Sequence, residues 1–225
     1  LRNQGVELSL AYAKQLNKDW AINVGANFAY NKNKIKKISN SLREQNEKNK
    51  NSDGVAPLPI YEEGQSLTAL KVVPSAGIDP VTGQEIFIKR DGAYTFVYDS
   101  NDKVIFGDTN PLGTGSITSY LTYKRFALSC SFLYSFGGSL YNETLATKVE
   151  GANPKYNADE RVLNDRWKTP GTVAKYKRID DTTTPYQTSR FVEKNNFLRM
   201  SSLSLSYEVP TNFIQKYGLK RMFLE

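Results

Sequence analysis

The chain has no histidine, and Cys130 is its single cysteine in 225 residues. Without histidine the commonest general base and metal ligand is missing. One cysteine excludes an internal disulfide, so cysteine usage says nothing about the compartment. Mean hydropathy is −0.52, and no stretch approaches the roughly 18 consecutive apolar residues of a membrane-spanning helix. Serines and aspartates are plentiful, but no spacing marks a nucleophile beside a base, so no catalytic residue is assigned and the chain is not read as an enzyme. Asp99, Asn101 and Asp102 superficially suggest a calcium loop, yet the glycine and bidentate glutamate such loops need downstream are missing. They read as a hairpin turn, as does Asp79-Pro80-Val81-Thr82-Gly83. Neither a metal nor a cofactor is expected.

What is present is alternation. Between Trp20 and Tyr30 one face reads Trp20, Ile22, Val24, Ala26, Phe28, Tyr30, and the other Ala21, Asn23, Gly25, Asn27, Ala29. This is the period of a β-strand, with aromatic residues at both ends of its apolar face. Ten steps of about 3.3 Å, tilted by about 40°, advance roughly 25 Å, the height of the apolar band of an outer-membrane barrel. The same pattern recurs at residues 6–13, 116–123, 126–136 and 202–209, and a sixth strand is expected from Leu219, cut off at Glu225. Short turns (16–19, 124–125, 210–218) alternate with long connections, about 32–114 and 138–196. Barrels with periplasmic turns and extracellular loops show this asymmetry. In an ordinary soluble domain, loops so long would count against the strand assignment.

A water-soluble antiparallel sheet also alternates, but it places Lys, Glu and Thr on its wet face. Here residues 20–30, 116–123 and 126–137 carry no charge, and their second face is Ala, Ser, Asn, Gly and Thr. The fold expected is therefore all-β: part of an antiparallel transmembrane β-barrel, about six strands of a larger one, with long extracellular loops. Within the first loop, residues 84–88 and 93–98 about Arg90-Asp91-Gly92 predict a hairpin. Residues 103–106 would add a third strand. In the second loop, Asn157 and Glu160 resemble a capping box for a helix running through Val162, Leu163, Arg166 and Trp167 to Pro170. Trp20, Tyr30, Tyr123, Phe126, Tyr134 and Tyr207 are read as the aromatic girdle. Glu7 points away from the apolar face. It reads as a solvated or ion-paired carboxylate, with ligand contact the alternative.

The net charge is +7, and seven basic residues between Lys32 and Lys50, against Glu44 and Glu47, supply +5 of it. Such a tract contacts nucleic acid or anionic lipid in some proteins, but a solvated loop is its ordinary meaning. Here lipid phosphate, a partner protein and water stay open, with the first two favoured and nucleic acid not expected. For ligand contact the candidates are the loop aromatics Tyr61, Phe87, Tyr94, Tyr141, Tyr156 and Trp167, whose faces stack on sugar rings and bury area at low entropic cost. Packing within the folded loops is the competing role for each.

Eight stretches, in this order and spacing, carry a resemblance to a known family. They are residues 3–8 (NQGVEL), 27–35 (NFAYNKNKI), 76–84 (AGIDPVTGQ), 107–111 (GDTNP), 135–138 (SFGG), 165–167 (DRW), 189–193 (SRFVE) and 197–207 (FLRMSSLSLSY). The chain resembles the C-terminal part of the SusC/RagA-type TonB-dependent outer-membrane transporters of Bacteroidetes. The resemblance implies a barrel of about 22 strands closed by an N-terminal plug. It also implies localisation in the cell outer membrane and uptake of oligosaccharides or peptides driven by the TonB complex. A SusD-like surface lipoprotein would act as the lid. The TonB box, the plug, the early strands and the final aromatic strand are absent from this sequence. It is therefore read as an internal fragment that would not transport alone, since six strands leave open edges. A passive porin or surface-adhesion barrel and a soluble β-rich binding module are the alternatives, and an outer-membrane hydrolase a more distant one.

Overall fold

The computed structural model describes residues 1–52, 54–153 and 155–225. In chain order the strands are β1 (Arg2–Gln15), β2 (Trp20–Lys34), β3 (Ala69–Val72), β4 (Ser75–Ile78), β5 (Glu85–Ile88), β6 (Tyr94–Thr95), β7 (Val104–Asp108), β8 (Gly113–Tyr123), β9 (Phe126–Phe136), β10 (Ser139–Tyr141), β11 (Val192–Lys194), β12 (Phe197–Glu208) and β13 (Phe223–Leu224). The helices are α1 (Asn40–Lys50), α2 (Arg161–Asn164) and α3 (Thr211–Ile214), with a short π-helical stretch over Leu145–Glu150.

Two compact units result. The first contains 3–32, 111–137 and 196–225; the second contains 1–2, 33–110 and 138–195. The first is a six-stranded antiparallel sheet in the order β1-β2-β8-β9-β12-β13. Its strands reach 15 residues because nothing in their sequences interrupts the alternation. Asn17 makes the first tight turn: its side-chain oxygen accepts from the N–H groups of Asp19 and Trp20, at 2.8 and 2.9 Å. Lys124 makes the second with a left-handed φ of 52°. The last strand is shorter than expected. Residues 215–217 form a helical turn ended by Gly218 at φ 74°, so pairing with β12 is confined to Phe223 and Leu224.

The second unit is built from the two long connections folded together. Three small sheets hold it, β3-β7, β4-β5-β6 and β10-β11. Its apolar core gathers Ala146, Val149, Val162, Tyr176 and Phe191, all from the second connection. The hairpin about Asp91-Gly92 forms, with Ile88 opposite Tyr94. The third strand also forms, but it pairs with β3 and not with the hairpin, because residues 69–72 supply a longer partner than the two residues of β6. The expected capping box does not form: the N-cap position of α2 is Glu160, which makes no side-chain cap, and Asp159 before it accepts from the Arg161 N–H at 2.9 Å. The helix stops before Arg166 and Trp167. The basic tract is not a plain loop. It contains α1, whose N-cap Ser39 accepts from the Leu42 N–H at 3.2 Å.

Candidate membrane face and loop unit

Strand register decides which side chains share a face. Trp20 lies opposite Tyr123, Tyr123 opposite Phe126 and Phe126 opposite Tyr207. These four therefore form one row across the sheet beside the tight turns. Trp20 and Tyr123 rings sit 4.3 Å apart and Phe126 and Tyr207 rings 4.7 Å apart. Inward from that row the same face carries Ile22, Leu121, Leu128 and Leu205, then Val24, Ser119, Cys130 and Leu203, then Ala26, Ile117, Phe132 and Met200. At the far end come Phe28, Tyr30, Tyr134, Phe136 and Leu198. All six girdle candidates lie on this face: Trp20, Tyr123, Phe126 and Tyr207 at one end, Tyr30 and Tyr134 at the other.

Two glycines make the far row possible. Gly113 and Gly115 sit on the same face, and a Cβ on Gly113 would run into the rings of Phe136 and Phe28. A Cβ on Gly115 would meet the Tyr134 ring and the Asn27 carbonyl. With both side chains absent, Phe28 and Phe136 stack at 6.1 Å, and the Tyr134 hydroxyl reaches over β8 to donate to the Asn27 carbonyl at 2.7 Å. No residue of this face on β2, β8, β9 or β12 between the two aromatic rows is charged. The face is also uncovered by the chain: Leu203 and Leu205 are each 59% exposed. Water would penalise such a surface by its area.

The opposite face is polar and almost neutral. It carries Asn23, Asn27, Ser116, Thr118, Thr122, Ser129, Ser131, Ser135, Ser202, Ser204 and Ser206. Asn27 clasps Ser116 twice, donating to its hydroxyl at 2.7 Å and accepting from its N–H at 2.9 Å.

In the loop unit the six ligand candidates are not brought together. Phe87 is buried and meets the Tyr98 and Tyr186 rings edge-on, the packing role weighed for it. Tyr141 packs edge-on against Phe191. Trp167 donates to the Pro80 carbonyl at 2.8 Å and lies against Gly83, with the Arg178 guanidinium 5.8 Å from its ring centre, so it anchors the loop beside α2. Tyr61 is half-buried, and its backbone is held by Asn46. Tyr94 and Tyr156 alone present most of their surface.

What the motifs did not reveal is a buried ion cluster. Arg190 bridges Glu85 of the first connection, at 2.7 Å, and Glu150 of the second, at 2.5 Å. Burial by itself would push the guanidinium down, but hydrogen bonds and charge from the two carboxylates outweigh it and hold the group protonated above its ordinary range. Nearby, burial and then the Glu85 charge push the Tyr98 and Tyr141 hydroxyls up. Lys103 is buried and, among the described residues, has no carboxylate partner; its ammonium donates to the Lys50 carbonyl at 2.8 Å and to Gln187 at 2.6 Å. Burial, then the Lys50 charge, bring it down to about 8. Among the described residues no cluster of carboxylates and cysteine could hold a metal. Asp99 instead caps a helical turn by accepting from the Asn101 N–H at 2.8 Å.

No protein-family model matches the chain. The TonB-dependent receptor P3 of Formosa agariphila is 27% identical to it over 245 residues, covering 100% of this chain. The chain spans only 23% of that relative's length. The structure of the RagAB peptide transporter matches 93% of the chain with a TM-score of 0.73 at 24% identity. The RagAB peptide importer matches in its closed-closed state with 0.70 at 25% identity and in its open-open state with 0.74 at 23%, each over 94% of the chain. Each of these matches covers 23% of the solved chain. Similarity along the whole chain to a TonB-dependent receptor, joined to the fold shared with RagAB, supports the resemblance to the SusC/RagA-type TonB-dependent transporters.

Proposed function

We propose that the six-stranded sheet is a section of the wall of an outer-membrane β-barrel, with its apolar face toward lipid. The whole protein then imports a large nutrient in a TonB-dependent manner. The observation that carries this reading is the exposed, uncharged apolar face bounded by an aromatic row at each end. A soluble sheet has no use for such a face, whereas a bilayer rewards it. The substrate class is oligosaccharide or peptide. The solved RagAB structures are of a peptide transporter, which supports the peptide. The second unit then lies on the extracellular side, where Tyr61, Tyr94 and Tyr156 remain as aromatic contacts for substrate or for a SusD-like lipoprotein partner.

The test is expression of the full-length gene in its host, followed by envelope fractionation. Wild-type protein is expected in the outer membrane. Leu203→Arg places a charge mid-face and should cost about 2–4 kcal/mol of assembly at that depth, while Ser131→Arg on the polar face should be tolerated. Equal, detergent-free solubility of wild type and both variants would overturn the reading.

A further inference from the structure

Arg199 is the exception on the polar face of the sheet. It lies opposite Leu133, and Phe197 before it lies opposite Ser135, so both stand on the side of Ser116, Ser131 and Ser135. Among the described residues of β2, β8, β9 and β12 it is the one charge on that face between the aromatic rows. The bulge in β12 puts it there. Counted back from Leu205 and Leu203, unbroken alternation would turn Arg199 and Phe197 to the apolar face. The unpaired Ser201 between Met200 and Ser202 reverses the phase and turns both away from it. Arg199 is exposed, and among the described residues its guanidinium has neither an ion pair nor a hydrogen-bond partner. It lies over the Phe197 ring, its central carbon 5.7 Å from the ring centre. Asn27 and Ser116, at the same level of the sheet, are already clasped to each other.

We propose that Arg199 holds a carboxylate of a peptide substrate inside the barrel, near the end of the sheet from which the long connections leave. This rests on the membrane reading: with the apolar face toward lipid, the polar face lines the lumen. A lone guanidinium on a neutral wall attracts an anion, and its planar fork matches a carboxylate with two parallel N–H···O bonds. The Phe197 ring beneath restrains the fork and leaves its N–H groups free for a ligand. Leu133 and Phe197 beside it offer apolar contact to the residue that carries the carboxylate. Apolar contact next to a carboxylate suits a peptide, whose residues carry both, better than an oligosaccharide. The bulge gives up one ladder pairing, and what it gains is this orientation.

The experiment uses the full-length protein, with whatever co-purifies, taken from its membrane in neutral detergent. The probes are short synthetic peptide pools of mixed sequence, and bound peptide is counted by native mass spectrometry. One pair of pools lacks Asp and Glu and ends in a free acid or an amide; it reports the terminal carboxylate. A second pair, both amidated, carries one internal Glu or Gln; it reports a side-chain carboxylate. Wild type is expected to prefer the carboxylate member of at least one pair by on the order of tenfold, and R199Q to lose that preference. R199K keeps the charge without the fork and should retain part of it. K220Q removes a charge at the other end of the sheet and should behave as wild type. Equal retention within both pairs by wild type, or a preference lost in K220Q, overturns the proposal. So does a preference intact in R199Q, and a fall in its Tm would then give Arg199 to the protein's own packing. The two readings fail differently. Wild type that sits in the outer membrane and binds peptides without regard to carboxylate sinks only the Arg199 site. Wild type there that binds no peptide sinks the peptide reading and the site with it, and wild type in the soluble fraction sinks the barrel.

Discussion

Arg190 is where the loop unit is most exposed to a single substitution. Its guanidinium satisfies two carboxylates that are almost wholly buried. Arg190→Met keeps much of the volume but leaves Glu85 and Glu150 charged and unpaired, at an expected cost of about 3–5 kcal/mol. Limited proteolysis of the full-length protein should then cut within 33–110 and 138–195 far faster than in the parent. Lys103 is a different case, because its partners among the described residues are neutral. Below pH 8 both folded and unfolded chains hold its proton, and the folded chain carries a buried charge. Between about pH 8 and the ordinary 10.5 the folded chain has released the proton while the unfolded chain keeps it, so stability should climb with pH in that window. Lys103→Met should abolish the climb, read as the pH dependence of Tm for variant and parent. None of these contacts was legible in the sequence. Glu85, Glu150 and Arg190 are scattered over more than a hundred residues, and only tertiary folding brings their charges together.

At the level of elements, legibility followed the period. Where a strand alternates without interruption, as in β2, β8 and β9, its apolar face could be read directly, although β2 runs on to Lys34 and β8 begins at Gly113, outside the alternating runs 20–30 and 116–123. β12 shows the limit. A bulge leaves Ser201 without a partner between Met200, opposite Phe132, and Ser202, opposite Ser131. The apolar face therefore runs on even numbers up to Met200 and on odd numbers from Leu203, and the pattern was visible only on the later side. α1 was hidden for another reason. Its two buried positions are Asn46 and Asn49, whose amides bind the backbone of Tyr61 and the carbonyl of Pro59. A helix docked by amides leaves no apolar period to find. Asn46→Leu should detach α1, stranding the Tyr61 N–H and carbonyl at a cost of about 1–3 kcal/mol, detectable as faster hydrogen exchange in 40–50. Gly115→Val should fail more severely. Its Cβ would meet the Asn27 carbonyl, a backbone atom that cannot step aside, and the Tyr134 ring over β8. The expected readout is loss of the compact, heat-modifiable form from outer-membrane fractions.

Over the whole molecule, the two long connections depend on each other. β3 and β7 come from the first, while β10 and β11 come from the second. The Glu85–Arg190–Glu150 cluster and the paired backbones of Val73 with Gln187 and Ser189 join the two. Replacing 138–195 with a short turn should therefore unfold 33–110 as well, seen as new cleavage sites there, while β9 and β12 stay paired. The polar face of the sheet has a different consequence. Its side chains are mostly hydroxyls, and a hydroxyl changes from donor to acceptor by turning about one bond. A body resting against such a wall meets partners that are interchangeable from one position to the next, with almost no fixed charge to hold it in place. It could advance along the strands by exchanging one weak bond for an equivalent one, so that the surface grips evenly but offers little friction.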